Sequence, residues 1–146
     1  MKKMFCMAVL FAGVFLGGQS YFGLSVGLAE DASADGTVTA YYFHTSFRCP
    51  TCQKLEQYSK EAIESNFKDA LASGKVSFTV VNVESSGNEH YVNDYQLYTK
   101  SLVLSLAKDG KEVRSKNLDR IWQLVGNKQQ FQNYVRDEVS AFINEV

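Results

Sequence analysis

Val38-Thr39-Ala40-Tyr41-Tyr42-Phe43, followed at short distance by Cys49-Pro50-Thr51-Cys52, is the stretch that decides the fold. Its first half is β-branched and aromatic, as a strand should be. From Leu55 onward the apolar residues recur at helical spacing. The two cysteines therefore fall where a strand turns into a helix. Pro50 suits a first helical position, because its missing N–H breaks no bond there. A cysteine at the first turn faces unpaired backbone N–H groups and the positive end of the macrodipole, which favour a thiolate. A dithiol so placed can cycle between reduced and disulfide forms.

Working outward, the first strand covers about residues 37–44 and a polar turn, Thr45-Ser46, leads to the cysteines. The first helix carries Leu55, Tyr58, Ala62, Ile63, Phe67 and Leu71 on one stripe, with Lys54, Glu56, Lys60, Glu61 and Lys68 toward water. Gly74 is placed as its C-cap. Residues 76–83 are nearly continuously apolar and read as a buried parallel strand. A short helix over 89–96 follows the loop 85–88. Strands at 102–107 and 112–118 are joined through Asp109-Gly110, a hairpin signal. A helical turn over 119–125 leads to Gly126, and a last helix over 128–144 places Phe131, Tyr134, Val135, Val139, Phe142 and Ile143 on one face. The order is βαβαββα. A strand-helix-strand unit requires a right-handed crossover between parallel strands, and the terminal hairpin adds antiparallel ones. The expectation is an α/β fold with a central mixed four-stranded sheet flanked by helices.

The 146 residues divide into an export segment (1–29), a polar linker (30–36) and one domain (37–146). Met1-Lys2-Lys3 is a basic start, and residues 4–28 hold no ionisable side chain except Cys6 and Tyr21. Gly27-Leu28-Ala29 before Glu30-Asp31 has the small residues of a signal-peptidase site. The same stretch is long enough to act as an uncleaved signal anchor, which needs roughly 20 apolar residues. Either way the domain is expected outside the cytoplasm, periplasmic or at the cell surface, touching the membrane only through this segment. Cleavage removes Lys2 and Lys3 from the 15 Lys and Arg that stand against 16 Asp and Glu, so the domain is mildly acidic. No basic stripe appears, which argues against nucleic acid as a partner.

A C-x-x-C placed after the first strand of a βαβ unit resembles the thioredoxin superfamily, and the resemblance extends over 38–146. A closer similarity rests on Tyr41-Tyr42-Phe43-His44, Phe47-Arg48-Cys49-Pro50-Thr51-Cys52, Asn88-Glu89-His90, Asp94-Tyr95-Gln96-Leu97-Tyr98-Thr99-Lys100 and Leu124-Val125-Gly126. That set resembles the exported thioredoxin-like family named nitrophenyl compound nitroreductase subunit ArsF, whose genes are associated with arsenic-resistance neighbourhoods. The resemblance implies a thioredoxin-like fold, thiol–disulfide exchange, a protein dithiol or disulfide partner, and a flavoprotein or other redox partner. No glycine-rich dinucleotide or flavin fingerprint occurs, and a redox-active disulfide requires no dissociable cofactor. Two features of active thioredoxins are absent. The proline before the third strand is replaced near Lys100-Ser101, since Pro50 is the only proline. The acid six positions before the first cysteine is replaced by Phe43.

The residues assign Cys49 as nucleophile and Cys52 as the resolving thiol. Arg48 is assigned to favour the thiolate, in an environment that can lower a cysteine pKa from about 8.5 to roughly 3.5–7.5. Pro50 and Thr51 of the motif, with Lys100, Ser101 and His44, are assigned to the expected groove. His44 also reads as a plain strand-end histidine, His90 as an exposed or capping residue, and Trp122 and the tyrosines as packing residues. An inert structural disulfide stays open as an alternative. So does a soft-metal or metalloid site using Cys49 and Cys52, for example an accessory subunit binding arsenite. A zinc site needs four ligands, and the domain offers only His44 and His90 beside the two thiols.

Overall fold

A computed structural model describes residues 36–146; the export segment and all but the last residue of the linker lie outside the described residues. The elements are β1 (Thr37–His44), α1 (Pro50–Asn66), α2 (Lys68–Ala72), β2 (Val76–Asn82), α3 (His90–Asp94), β3 (Ser101–Lys108), β4 (Lys111–Asn117), α4 (Ile121–Leu124) and α5 (Lys128–Ile143). They form one four-stranded sheet in the order β2-β1-β3-β4. β1 pairs in parallel with β2 and antiparallel with β3, which pairs antiparallel with β4. The mixed sheet with flanking helices is thus the architecture that the pattern of elements calls for.

Alternation along the strands divides the core in two. Val38, Ala40 and Tyr42 of β1 and Leu102, Leu104 and Leu106 of β3 face Leu55 and Ile63 of α1 and Phe131, Val135, Val139 and Phe142 of α5. On the opposite face Phe43, Val81 and Val103 pack with Leu97, and Tyr41, Tyr91 and Tyr95 close over them. This second face is covered by one short helix, α3, and a stack of aromatic rings. Tyr91 and Tyr95 lie 6.0 Å apart between centroids, and Phe43 is 5.1 Å from Tyr91. Gln96, at φ 50°, turns the chain out of α3 so that Leu97 N–H bonds Val92 C=O at 2.9 Å and Leu97 enters this cluster.

Three features differ from the sequence reading. The first helix is broken at Phe67, whose φ and ψ of −127° and 37° end α1 before α2 begins. Asn66 Nδ2 and Ser65 Oγ donate to the carbonyls of Ala62 and Glu61, and such side-chain bonds compete with continuation of the helix. β2 is an edge strand with Ser77, Thr79 and Val80 exposed, and β1 takes the central parallel position instead. The reason is the terminal hairpin, which adds to the side of β1 away from β2. Glu56, placed on the water face of the first helix, turns inward to pair with Arg48. The Asp109-Gly110 turn, by contrast, has both residues at positive φ (51° and 72°), as a two-residue hairpin with native twist requires.

Candidate functional site

Cys49 is the N-cap of α1: its backbone is extended (φ −77°, ψ 157°) and Pro50 opens the helix. Cys49 and Cys52 form a disulfide. The Cys52 N–H donates to Cys49 Sγ at 3.1 Å, so this sulfur occupies the place where a capping oxygen normally sits. The two sulfur residues differ in access. Cys49 is half-buried, whereas Cys52 is 2% exposed. Beneath the pair, the Tyr42 hydroxyl donates to the Cys52 carbonyl at 2.7 Å inside the core. Burial, and then the nearby Glu56 carboxylate, hold the Tyr42 hydroxyl well above the usual phenol range, with Arg48 opposing. Tyr42 therefore stays neutral and keeps its proton on the helix carbonyl.

Arg48 is more constrained than a solvated arginine next to a cysteine. Its Nη2 donates to the Glu56 carboxylate and its Nη1 approaches His44 Nε2 at 3.2 Å. His44 Nδ1 lies 2.8 Å from the Thr45 carbonyl, which can only accept. The neutral ring therefore carries its proton on Nδ1, and Nε2 accepts from Arg48. His44 is thus a partner of Arg48 rather than an isolated strand-end side chain. The guanidinium charge beside Cys49 is already shared with Glu56.

A groove of about 570 Å³ opens at the end of β1, with Phe43, Val83, Val92 and Leu97 as its apolar floor and His44, Glu84 and Lys100 among its polar walls; Thr45 is the β1–α1 loop residue on its wall, and neither cysteine lines it. The loop is pinned across it. Ser46 N–H donates to Glu84 Oε2 at 2.9 Å, and Asn82 Nδ2 donates to Ser46 Oγ at 3.1 Å. Lys100 Nζ sits 5.7 Å from the centroid of Phe47, a ring that is 73% exposed. Tyr98, 94% exposed, stands at the same end. Ser101 is buried, with its hydroxyl donating to Thr99 C=O at 3.0 Å. It faces a smaller cavity, about 150 Å³, shared with Trp122. Trp122 donates from Nε1 to the Lys100 carbonyl at 3.0 Å, which fixes the residue that precedes β3. Pro50 and Thr51 are exposed on the first turn of α1. His90 is exposed and pairs with Asp94 at 2.6 Å, away from the cysteines in sequence and on the wall of neither cavity.

Tyr42, Glu56 and Glu84 are parts of this site that the sequence reading did not single out. For Glu56 a signal existed: Cys49, Cys52 and Glu56 are separated by three and four residues, the spacing of one helix face. Glu84 had no such signal, because its contact with Ser46 joins segments 38 residues apart. Among the described residues, no group of three or more His, Cys, Asp and Glu side chains is arranged to hold a metal ion.

The central β1, its parallel neighbour β2 and the antiparallel β3–β4 hairpin, with the cysteines opening α1, decide the fold class. The fold is thioredoxin-like. No protein-family model matches the chain, and no curated protein matches its sequence. Among solved structures it is similar to thioredoxin O2 from Arabidopsis thaliana in the oxidised state, at 14% identity over 66% of this chain and 76% of that one, TM-score 0.39. It is similar also to thioredoxin from Trypanosoma brucei brucei, at 17% identity over 71% and 76%, TM-score 0.37. A third is the thioredoxin of Fasciola hepatica, at 20% identity over 65% and 84%, TM-score 0.37. Likeness at this level is too distant to carry function.

Proposed function

We propose that this domain is a thiol–disulfide oxidoreductase whose reacting sulfur is Cys49. The observation that carries the proposal is the asymmetry of the pair: Cys49 is accessible and caps α1, while Cys52 is 2% exposed. A partner thiolate can reach only the outer sulfur. Its attack on Cys49 Sγ forms a mixed disulfide and releases Cys52. The second partner thiol then attacks its own sulfur in that bond and frees Cys49 as a thiolate. In the reverse direction Cys49 attacks a partner disulfide and Cys52 resolves it. The Cys52 N–H and the positive end of α1 favour charge on Cys49 over charge on the buried sulfur. The groove beside the β1–α1 loop, walled by Lys100 and His44, is where the partner chain would lie.

Exchange with a small dithiol and with a peptide disulfide tests this. Wild type should cycle, Cys49→Ser should be inactive, and Cys52→Ser should accumulate the mixed disulfide on Cys49. Equal rates for Cys49→Ser and wild type would remove the proposal.

Two finer assignments belong to this proposal: export from the cytoplasm, which rests on the basic start and apolar run of residues 1–29, and service as a redox subunit for a nitrophenyl compound reductase, which rests on the sequence resemblance. Copurification of a flavoprotein would support the subunit reading. The second class of function, an accessory protein that holds arsenite through the reduced dithiol, is supported by the two adjacent soft donors alone. A stable arsenite adduct by mass spectrometry, requiring both cysteines and accompanied by no exchange activity, would favour it.

A further inference from the structure

Arg48 Nε is buried and has no acceptor among the described residues, although the two terminal nitrogens of the same guanidinium are engaged by His44 and Glu56. An orphaned buried donor in an otherwise satisfied network calls for a chemical reason. The one group nearby that changes state in the proposed reaction is the disulfide. Cys49 caps α1, and Glu56 follows Cys52 by four residues on one face of that helix, so the carboxylate that holds Arg48 keeps its guanidinium at the end of α1 that carries the pair. A disulfide sulfur is a weak acceptor. A thiolate is a charged one, and charge-assisted bonds are roughly twice as strong as neutral ones.

We propose that the Arg48 Nε–H is a donor held in reserve for the Cys49 thiolate, and that Glu56 and His44 are positioning residues that keep it there. This rests on the redox reading and adds a direction to it. The reduced pair gains a hydrogen bond that the oxidised pair lacks, so the domain is biased to take electrons from a partner dithiol. In that step the partner's two thiols become a disulfide. The Cys49–Cys52 bond accepts the electron pair, Cys52 takes one proton, and the other goes to solvent. Cys49 remains a thiolate on Arg48 Nε–H and Cys52 N–H. The charged and titratable groups linked to this network are Tyr42 and His44 from β1, Arg48 from the loop and Glu56 from α1, while Glu84 and Lys100 stand with His44 on the groove wall.

The test uses protein reduced with a phosphine. The Cys49 pKa is read from thiolate absorbance, and the potential of the pair is set against glutathione. Arg48→Lys keeps the charge but has no Nε–H and cannot grip both partners. It should cut the thiolate fraction about tenfold below the pKa, and above the pKa make the potential about 30 mV more negative. Glu56→Ala separates positioning from charge, because the two predict opposite signs. Loss of a neighbouring negative charge alone would lower the Cys49 pKa, whereas release of Arg48 should raise it. An Arg48→Lys variant that matches wild type in both readouts overturns the reserved donor, and a lowered pKa in Glu56→Ala overturns the positioning role. Either result with normal dithiol exchange by wild type leaves the redox function standing. Inactivity of wild type, with the thiolate pKa still responding to Arg48→Lys, removes the redox function and leaves the Arg48 contact.

Discussion

Tyr42 shows how a single side chain can join core and site. Its ring belongs to the main cluster under α1 and α5, and its hydroxyl reaches up to the Cys52 carbonyl at 2.7 Å. Replacing Tyr42 with phenylalanine keeps the packing and removes one buried bond, which typically costs about 1 kcal/mol. Urea unfolding of the oxidised protein should show that loss, with an unchanged dependence on denaturant. Phe43, the next residue, points to the other face. The apolar ring that stands where an acid is expected therefore belongs to the aromatic stack under α3, and the ionisable groups near the pair, Arg48 and Glu56, come from the loop and the helix. Reading residue types alone identifies Cys49, Cys52 and Arg48. It does not identify Glu56 as Arg48's partner, because a glutamate among lysines on a helix surface has the composition of a solvated face.

At the scale of elements, the β1–α1 loop carries the function and is tied to the end of β2. Glu84 holds the loop by accepting the Ser46 N–H, and this bond, with the Ser46 hydroxyl next, lowers the Glu84 carboxyl below its ordinary value of 4.5. The folded state thus prefers the ionised form. Its contribution is full above the unfolded value and is lost as pH falls through the lower folded value. The gap in melting temperature between wild type and Glu84→Gln should accordingly be constant above about pH 5.5 and narrow on acidification below the ordinary glutamate range. A gap that widens in acid would contradict the assignment. The hairpin and α5 were legible because Asp109-Gly110 and the spacing of Phe131, Val135, Val139 and Phe142 are local patterns. The break at Phe67 was not, since the apolar stripe continues through it while the side chains of Ser65 and Asn66 take the carbonyls.

For the domain as a whole, α1 and α5 are clamped on the same face of the sheet, and the T-shaped contact of Tyr58 with Phe131, 5.6 Å between centroids, joins them. Phe131 is fully buried. Phe131→Ala should destabilise by about 3–5 kcal/mol through lost burial and the cavity left behind, measured by thermal or denaturant unfolding. The disulfide closes only a four-residue loop and by chain entropy contributes about 2 kcal/mol at most. Reduction should therefore leave the far-ultraviolet circular dichroism intact, whereas the core truncation should not be rescued by oxidation.

The sequence by itself determined the strand and helix identities, the hairpin and the position of the cysteine pair, because hydrophobic period, turn residues and motif spacing are properties of neighbouring residues. Only the tertiary structure decided that β1 rather than β2 is central, that Cys52 is sealed while Cys49 is only half-buried, and that Arg48 is shared by His44 and Glu56. Those outcomes depend on which side of β1 the hairpin joins and on how α1 sits over Tyr42, and contacts between distant segments leave no period in the chain.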